Sequence, residues 1–176
     1  MKRFLYVLAL TLALALTLGL GTTGAARALS CVPWDVQSAY LEIAADPEPY
    51  VIARGTVTFN EKQLPKVDWN NQQNTRPLTR IKARFHGKSL TPNGFTNRFK
   101  TPITLNIRCF GPWCAGMASG IDYLAFLHKT GTGTGYELTV TPCGGHAFGT
   151  PSREMIKAVR TCFNGGRCRP AHERMK

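Results

Sequence analysis

The sequence predicts a mainly β protein: a small five-stranded antiparallel barrel followed by one C-terminal helix and stabilised by disulfides. Apolar and polar residues alternate with period two in several short segments, most clearly from Arg80 to Phe85. Near the C-terminus, Met155, Ile156, Val159 and Phe163 recur at helical spacing. The six cysteines, an even number, all follow an apolar leader.

Met1, Lys2 and Arg3 precede a 17-residue apolar run, Phe4 to Leu20, and then a small-residue stretch, the pattern of a secretory leader over residues 1–30. Cleavage is expected after Ala28 or after Ser30. The run is at the short limit of a bilayer span, which leaves a membrane anchor as the alternative. Lipid attachment at Cys31 fits poorly, because a lipoprotein box adjoins its apolar run. The expected destination is therefore the periplasm or the outside medium.

The 176-residue chain holds 22 Lys and Arg against 10 Asp and Glu; removing Lys2, Arg3 and Arg27 leaves 19 against 10, a net charge of +9. That length gives one domain, over 31–163, with a basic cysteine-containing tail over 164–176. Oxidising conditions predict up to three bridges among Cys31, Cys109, Cys114, Cys143, Cys162 and Cys168.

A helical turn over 38–45 is expected to stop at Asp46-Pro47-Glu48-Pro49. Tyr50–Phe59 is rich in β-branched and aromatic residues and forms the first strand, with Gly55 marking a bulge or bend. Residues 60–76 are polar and aperiodic, a long surface loop. The strand at 80–85 turns Ile81, Ala83 and Phe85 inward and Arg80, Lys82 and Arg84 outward. His86-Gly87-Lys88 is expected to end it, and 90–100 reads as a second loop. Thr101–Arg108 alternates again and enters the turn Cys109 to Cys114. Tyr123–Leu127 and Tyr136–Thr141 form a hairpin across a Gly/Thr connector. Pro151-Ser152-Arg153-Glu154 opens the helix and Asn164-Gly165-Gly166 stops it. Five strands on short connections favour an OB-type barrel, with a β-sandwich as the rival that needs more strands.

The usual catalytic patterns are missing. Ser119 lies outside a Gly-x-Ser-x-Gly elbow, and His86, His128, His146 and His172 lack paired zinc-ligand spacing. Cys143-Gly-Gly-His146 resembles half a metal site, but an exported Cys143 is expected in a disulfide. Gly131-Thr-Gly133-Thr-Gly135 lacks the ending of a phosphate loop and reads as a hairpin tip. The expectation is a non-enzymatic protein without metal or cofactor.

Charge is the strong signal. Residues 69–121 hold Arg76, Arg80, Lys82, Arg84, Lys88, Arg98, Lys100 and Arg108 and no acid. Arg167, Arg169, Arg174 and Lys176 make a second cluster, opposed by Glu173 alone. Charge runs often form merely solvated faces; the functional alternative is attraction to an anionic surface, such as a polysaccharide, a membrane or an acidic protein. Nucleic acid is not the expected partner, because export removes it and Phe85 faces inward. The exposed aromatics are expected at Trp34, Trp69, Phe95 and Trp113, with packing of Trp34 and Trp113 on disulfides as the alternative.

Four stretches carry a family resemblance: Cys31-Val32-Pro33 with Gln37-Ser38-Ala39-Tyr40, Tyr50–Val57, Arg80–Lys88, and Tyr123–Leu127 followed by Tyr136–Cys143. Together they resemble the netrin-like domain family, in particular the inhibitory domain of the tissue inhibitors of metalloproteinases. The resemblance implies a partner that is an extracellular zinc metalloproteinase, whose zinc is chelated by the amine and carbonyl of an N-terminal cysteine.

Two registers follow from it. In one, Cys31 chelates, Val32 enters the specificity pocket and Cys114 is the bridge partner. In the other, Cys31 matches the family's second cysteine, Leu29 stands where the first would be, and the bridge runs to Cys143. Cys162–Cys168 is expected to close the turn after the helix. Cys31, Val32, Pro33, Trp69 and Trp113 are the candidate inhibitory residues; Arg80, Lys82, Arg84, Lys88, Arg98 and Lys100 are the candidates for an anionic partner.

Overall fold

A computed structural model describes residues 29–131 and 135–173. The leader reading falls on residues 1–28, outside the described residues, as do Arg174 and Lys176 of the basic tail. Helix α1 (Val36–Ala45) begins two residues before the predicted turn. Asp35 caps it, its carboxylate accepting from the Ser38 amide at 2.8 Å. The strands are β1 (Tyr50–Phe59), β2 (Leu78–Thr91), β3 (Gly94–Phe110), β4 (Trp113–Cys114), β5 (Asp122–Lys129), β6 (Tyr136–Thr141), β7 (Gly144–Gly145) and β8 (Ala147–Gly149). Helix α2 (Arg153–Phe163) follows, N-capped by Ser152. No helix among the described residues is long and apolar enough to cross a membrane.

The five long strands pair in the order β3-β2-β1-β5-β6, all antiparallel. A parallel pairing of β6 with β3, from Thr104 opposite Glu137 to Ile107 opposite Val140, brings the path back on itself. Odd-numbered residues of β1, of β2 up to the register shift at Ser89 and Leu90, and of β3 from Phe99 onward share one face of the sheet. Val57, Ile81, Phe85, Leu105, Ile107 and Leu138 meet there in a core that is almost wholly buried. A second core lies on the opposite face of β1 and β5, where Ile52, Leu124, Phe126 and Leu90 pack under Val36 and Ala39 of α1 and Val159 of α2. The helices thus cover one end of the sheet's outer face.

Three sequence readings are corrected here. The strand does not end at His86-Gly87-Lys88 and 90–100 is not a loop: β2 and β3 are one long hairpin, paired from Leu78–Arg108 to Thr91–Gly94. Pro92-Asn93 makes the turn, and Gly94, which opens β3 just after it, sits at φ 105°. Phe95 consequently packs against the second core instead of standing free.

Gly55 marks no bulge, since β1 and β2 pair continuously through it. The register irregularity lies instead between β2 and β3 at Ser89 and Leu90. Gly55 sits directly opposite Gly87, and the two backbones come so close that a Cβ on Gly87 would lie 2.6 Å from the Gly55 Cα. Here glycine permits contact between strands where a breaker was expected. Gly87→Ala is expected to cost roughly 3 kcal/mol by overpacking, read as a lower urea midpoint at unchanged m-value.

The disulfides are Cys31–Cys143, Cys109–Cys114 and Cys162–Cys168. The Cys31–Cys114 alternative is therefore overturned: Cys114 pairs with Cys109 across the two-residue β3–β4 turn, where the strands already place them opposite one another. Three bridges are compatible with an extracellular or periplasmic protein.

Candidate functional site

The even-numbered residues of β1 and β2 form the opposite face of the sheet, and along β2 between Leu78 and Leu90 they are Arg80, Lys82, Arg84, His86 and Lys88, all exposed. Charged side chains must remain solvated while Ile81, Ala83 and Phe85 are buried, so the alternation itself aligns them. At about 3.3 Å per residue the row from Arg80 to Lys88 is roughly 27 Å long. On β3 the exposed Arg98, Lys100 and Arg108 lie on the same face. The structure thus brings all six predicted anion-binding residues together.

The register places like charges side by side. Lys88 pairs with Arg54 of β1 on one side and with Arg98 of β3 on the other, three cations abreast. His86 lies opposite Lys100. Like charges directly opposite each other destabilise a sheet. Arg54 alone is compensated, by Asp122 at 2.8 Å; among the described residues Arg80, Lys82, Arg84, Lys88, Arg98, Lys100 and Arg108 form no ion pair.

A cleft of about 470 Å³ opens on this face, lined by Thr56, Thr58, Arg84, His86, Lys100 and Pro102 among others. Threonine hydroxyls donate and accept, arginine donates in a planar fork, and lysine supplies a point charge. The cleft can therefore hold an anionic group and the hydroxyls of its carrier. Arg54, His86 and the three β1 and β3 cleft residues were missed from sequence. Their even parity was a usable signal on both strands, since Thr56 and Thr58 lie in the predicted first strand and Pro102 in the predicted strand Thr101–Arg108; what the misread loop hid was the pairing that brings them together.

Beyond Arg108 the outward series continues to Phe110, paired with Trp113 at the β3–β4 tip and exposed like it. Trp69, 66% exposed, stands in the 60–77 loop, which is interrupted by two short 3-10 turns. Trp34 is partly buried: it lies over Gly144, where a Cβ would come 2.6 Å from its Cγ, and its indole N–H donates to the Gly145 carbonyl at 2.9 Å. Val32 is 69% exposed next to the Cys31–Cys143 bridge. Because β3 and β6 run parallel, Trp113 and Cys143 lie toward the same end of the sheet.

No family model, curated protein or solved structure matches the chain. Its function has to be read from its own surfaces.

Two histidines that look scattered in sequence meet in space. The Tyr50 ring lies 5.2 Å from His128 and 5.6 Å from His146 and donates its hydroxyl to Asp46 at 2.9 Å. Burial and the Asp46 bond push the Tyr50 phenol up to about 12. Burial is the larger influence on His146 and pulls its pKa down, against Glu42 at 3.4 Å and Asp46, with His128 adding to the fall. Among the described residues no group of three ligating side chains is placed to hold a metal ion.

Folded His146 therefore takes up its proton at a lower pH than the unfolded chain does. Between the ordinary histidine value and that lower one the unfolded state binds more protons, so stability falls as pH falls. The slope is at most about 1.4 kcal/mol per pH unit for one proton. Urea midpoints at pH 7.5, 6 and 5 should decline more steeply for the wild type than for His146→Gln.

Proposed function

We propose that the protein is an exported, non-catalytic binding module whose β2–β3 face takes an anionic polysaccharide. The observation that carries this is the row of three cations abreast, Arg54, Lys88 and Arg98, of which only Arg54 has a carboxylate partner, within a face whose other cations form no ion pair among the described residues. Such an arrangement costs stability in the free protein, and a polyanion laid along the strands removes that cost. The cleft threonines favour a carrier rich in hydroxyls. The face offers no exposed Phe, Tyr or Trp between Arg80 and Lys88, the large rings on which a single-stranded nucleic acid would stack successive bases; His86 is the one ring there. The returning strand path supports an OB-type barrel as the scaffold.

The test is binding to an immobilised sulfated or polyuronate polysaccharide across a salt series. A steep, linear fall of log affinity with log salt is expected. Salt-independent binding, or none at low salt, would sink the proposal.

The second reading is inhibition of a metalloendopeptidase through the Cys31-Val32-Pro33 segment, with the exposed Trp69 and Trp113 as the further candidates of the netrin-like resemblance. In its favour, Val32 stands exposed on a segment fixed by a disulfide. Against chelation by cysteine, the Cys31–Cys143 bridge belongs to the register that puts Leu29 at the chelating position. Mass spectrometry of the mature protein decides this: an N-terminus other than Cys31 removes the cysteine amine from the mechanism.

A further inference from the structure

We infer that the polysaccharide track continues past the β2–β3 turn onto α2, where Arg153, Lys157 and Arg160 form a second cationic station for the same chain. This rests on the reading of the β2–β3 face given above. The three residues follow one another at i, i+4 and i+7, so they share one face of the helix. With Thr161 and Asn164 they line a cleft of about 450 Å³. None of the three forms an ion pair among the described residues. The helix's own acid, Glu154, accepts hydrogen bonds from the Ser152 hydroxyl and from its own backbone amide at the first turn.

The two stations are joined through the hairpin turn. The Asn164 side-chain amide donates to the Pro92 carbonyl at 3.3 Å. The Arg160 guanidinium lies against Gly94, where a Cβ would stand 3.5 Å from its Cζ. Val159 packs on the same cluster as Ile52 and Leu90. Ile52 is two residues from Arg54 and shares its face, so α2 rests on the side of the sheet that carries the basic row. From Arg80 to Thr91 the strand covers about 36 Å, and Arg153 to Arg160 adds about 10 Å along the helix.

The track therefore selects for length. A single anion or an oligomer bound along Arg80 to Lys88 fills one station, whereas a linear polyanion longer than roughly 45 Å covers the summed length of both. A helix resting on a sheet stands about 10 Å above it. A flexible chain can follow that step; a flat bilayer cannot touch both levels at once.

The experiment uses size-fractionated sulfated oligosaccharides in calorimetric titrations with the full mature protein. Arg153→Gln with Lys157→Gln is the main variant, because Arg160 then stays at the turn and the melting temperature should be unchanged; the triple variant adds Arg160→Gln. For oligomers beyond the full span, affinity is expected to fall about 10-fold, with a salt dependence shallower in proportion to the cations removed. For oligomers shorter than about 25 Å, which fit on β2 alone, affinity should not change.

Equal losses at both lengths, or no loss at the greater one, would overturn the two-station track while leaving the strand face intact. No binding by the wild type at either length would remove the strand-face reading and the track with it. Tighter binding to anionic vesicles, or to single-stranded DNA of equal charge, would replace the polysaccharide with that partner.

Discussion

Replacing Arg80, Lys82 and Arg84 together by serine is expected to lower affinity for an anionic polysaccharide about 100-fold while leaving the protein folded. A Lys or Arg close to an anionic surface contributes about 1 kcal/mol, and three such losses amount to roughly two powers of ten. The three side chains are exposed on a strand whose alternate residues are buried, so their removal opens no cavity. Titrations at two salt concentrations check the affinity, and near-UV circular dichroism checks the fold. Unfolding of the triple variant would show that the outward assignment is wrong.

Lys88→Thr separates a binding face from a merely solvated one, because its two effects have opposite signs. Thr is a better strand former than Lys, and it relieves repulsion from Arg54 and Arg98 on both sides. Stability should therefore rise by several tenths of a kcal/mol as affinity falls. A charge that weakens the fold yet strengthens binding is the trade expected of a functional site. A simply solvated lysine would change stability without changing affinity.

Much of the strand pattern was legible because the cores are built from alternation. Ile81, Ala83 and Phe85 read correctly, as did Ile103, Leu105 and Ile107, since each is buried on one face and flanked by polar neighbours. Residues 86–100 misled because local signals oppose the tertiary answer there. Gly87 and Gly94 are both breakers in isolation, but one permits close approach to Gly55 and the other, at positive φ, leads the chain out of the two-residue Pro92-Asn93 turn into β3.

The same stretch decided how much of the candidate site could be seen. Eight cations were visible as a run without acids, six of them candidates for an anionic partner, but the assembly of those six into one face depends on the pairing of β2 with β3, a contact between segments. The Tyr50, His128 and His146 cluster was invisible for a similar reason, since residues 78 and 96 positions apart meet only once β1, β5 and the β7–β8 turn are in place.

Removing the Cys31–Cys143 bridge by double substitution to serine is expected to give the largest loss of stability. The two cysteines are 112 residues apart, and closing a loop of that size contributes about 4–5 kcal/mol in the chain-entropy model. The bridges with separations of 5 and 6 give about 2 kcal/mol each on the same footing. Thermal melts of the three double-serine variants should follow that order, and equal shifts would refute it. The bridge also holds Trp34 over Gly144, so its loss frees the segment carrying Val32. The cleft beside that segment, lined by Val32, Trp34 and Cys143 among others, includes none of the β2–β3 cations, so polysaccharide affinity should persist at temperatures where the variant remains folded. An inhibitor working through Cys31, Val32 and Pro33 would lose its rigid ridge, and with it the low ordering entropy that tight binding needs. One variant thus divides the two readings: retained polysaccharide binding places recognition on the strands, and loss confined to protease inhibition places it on the N-terminal ridge.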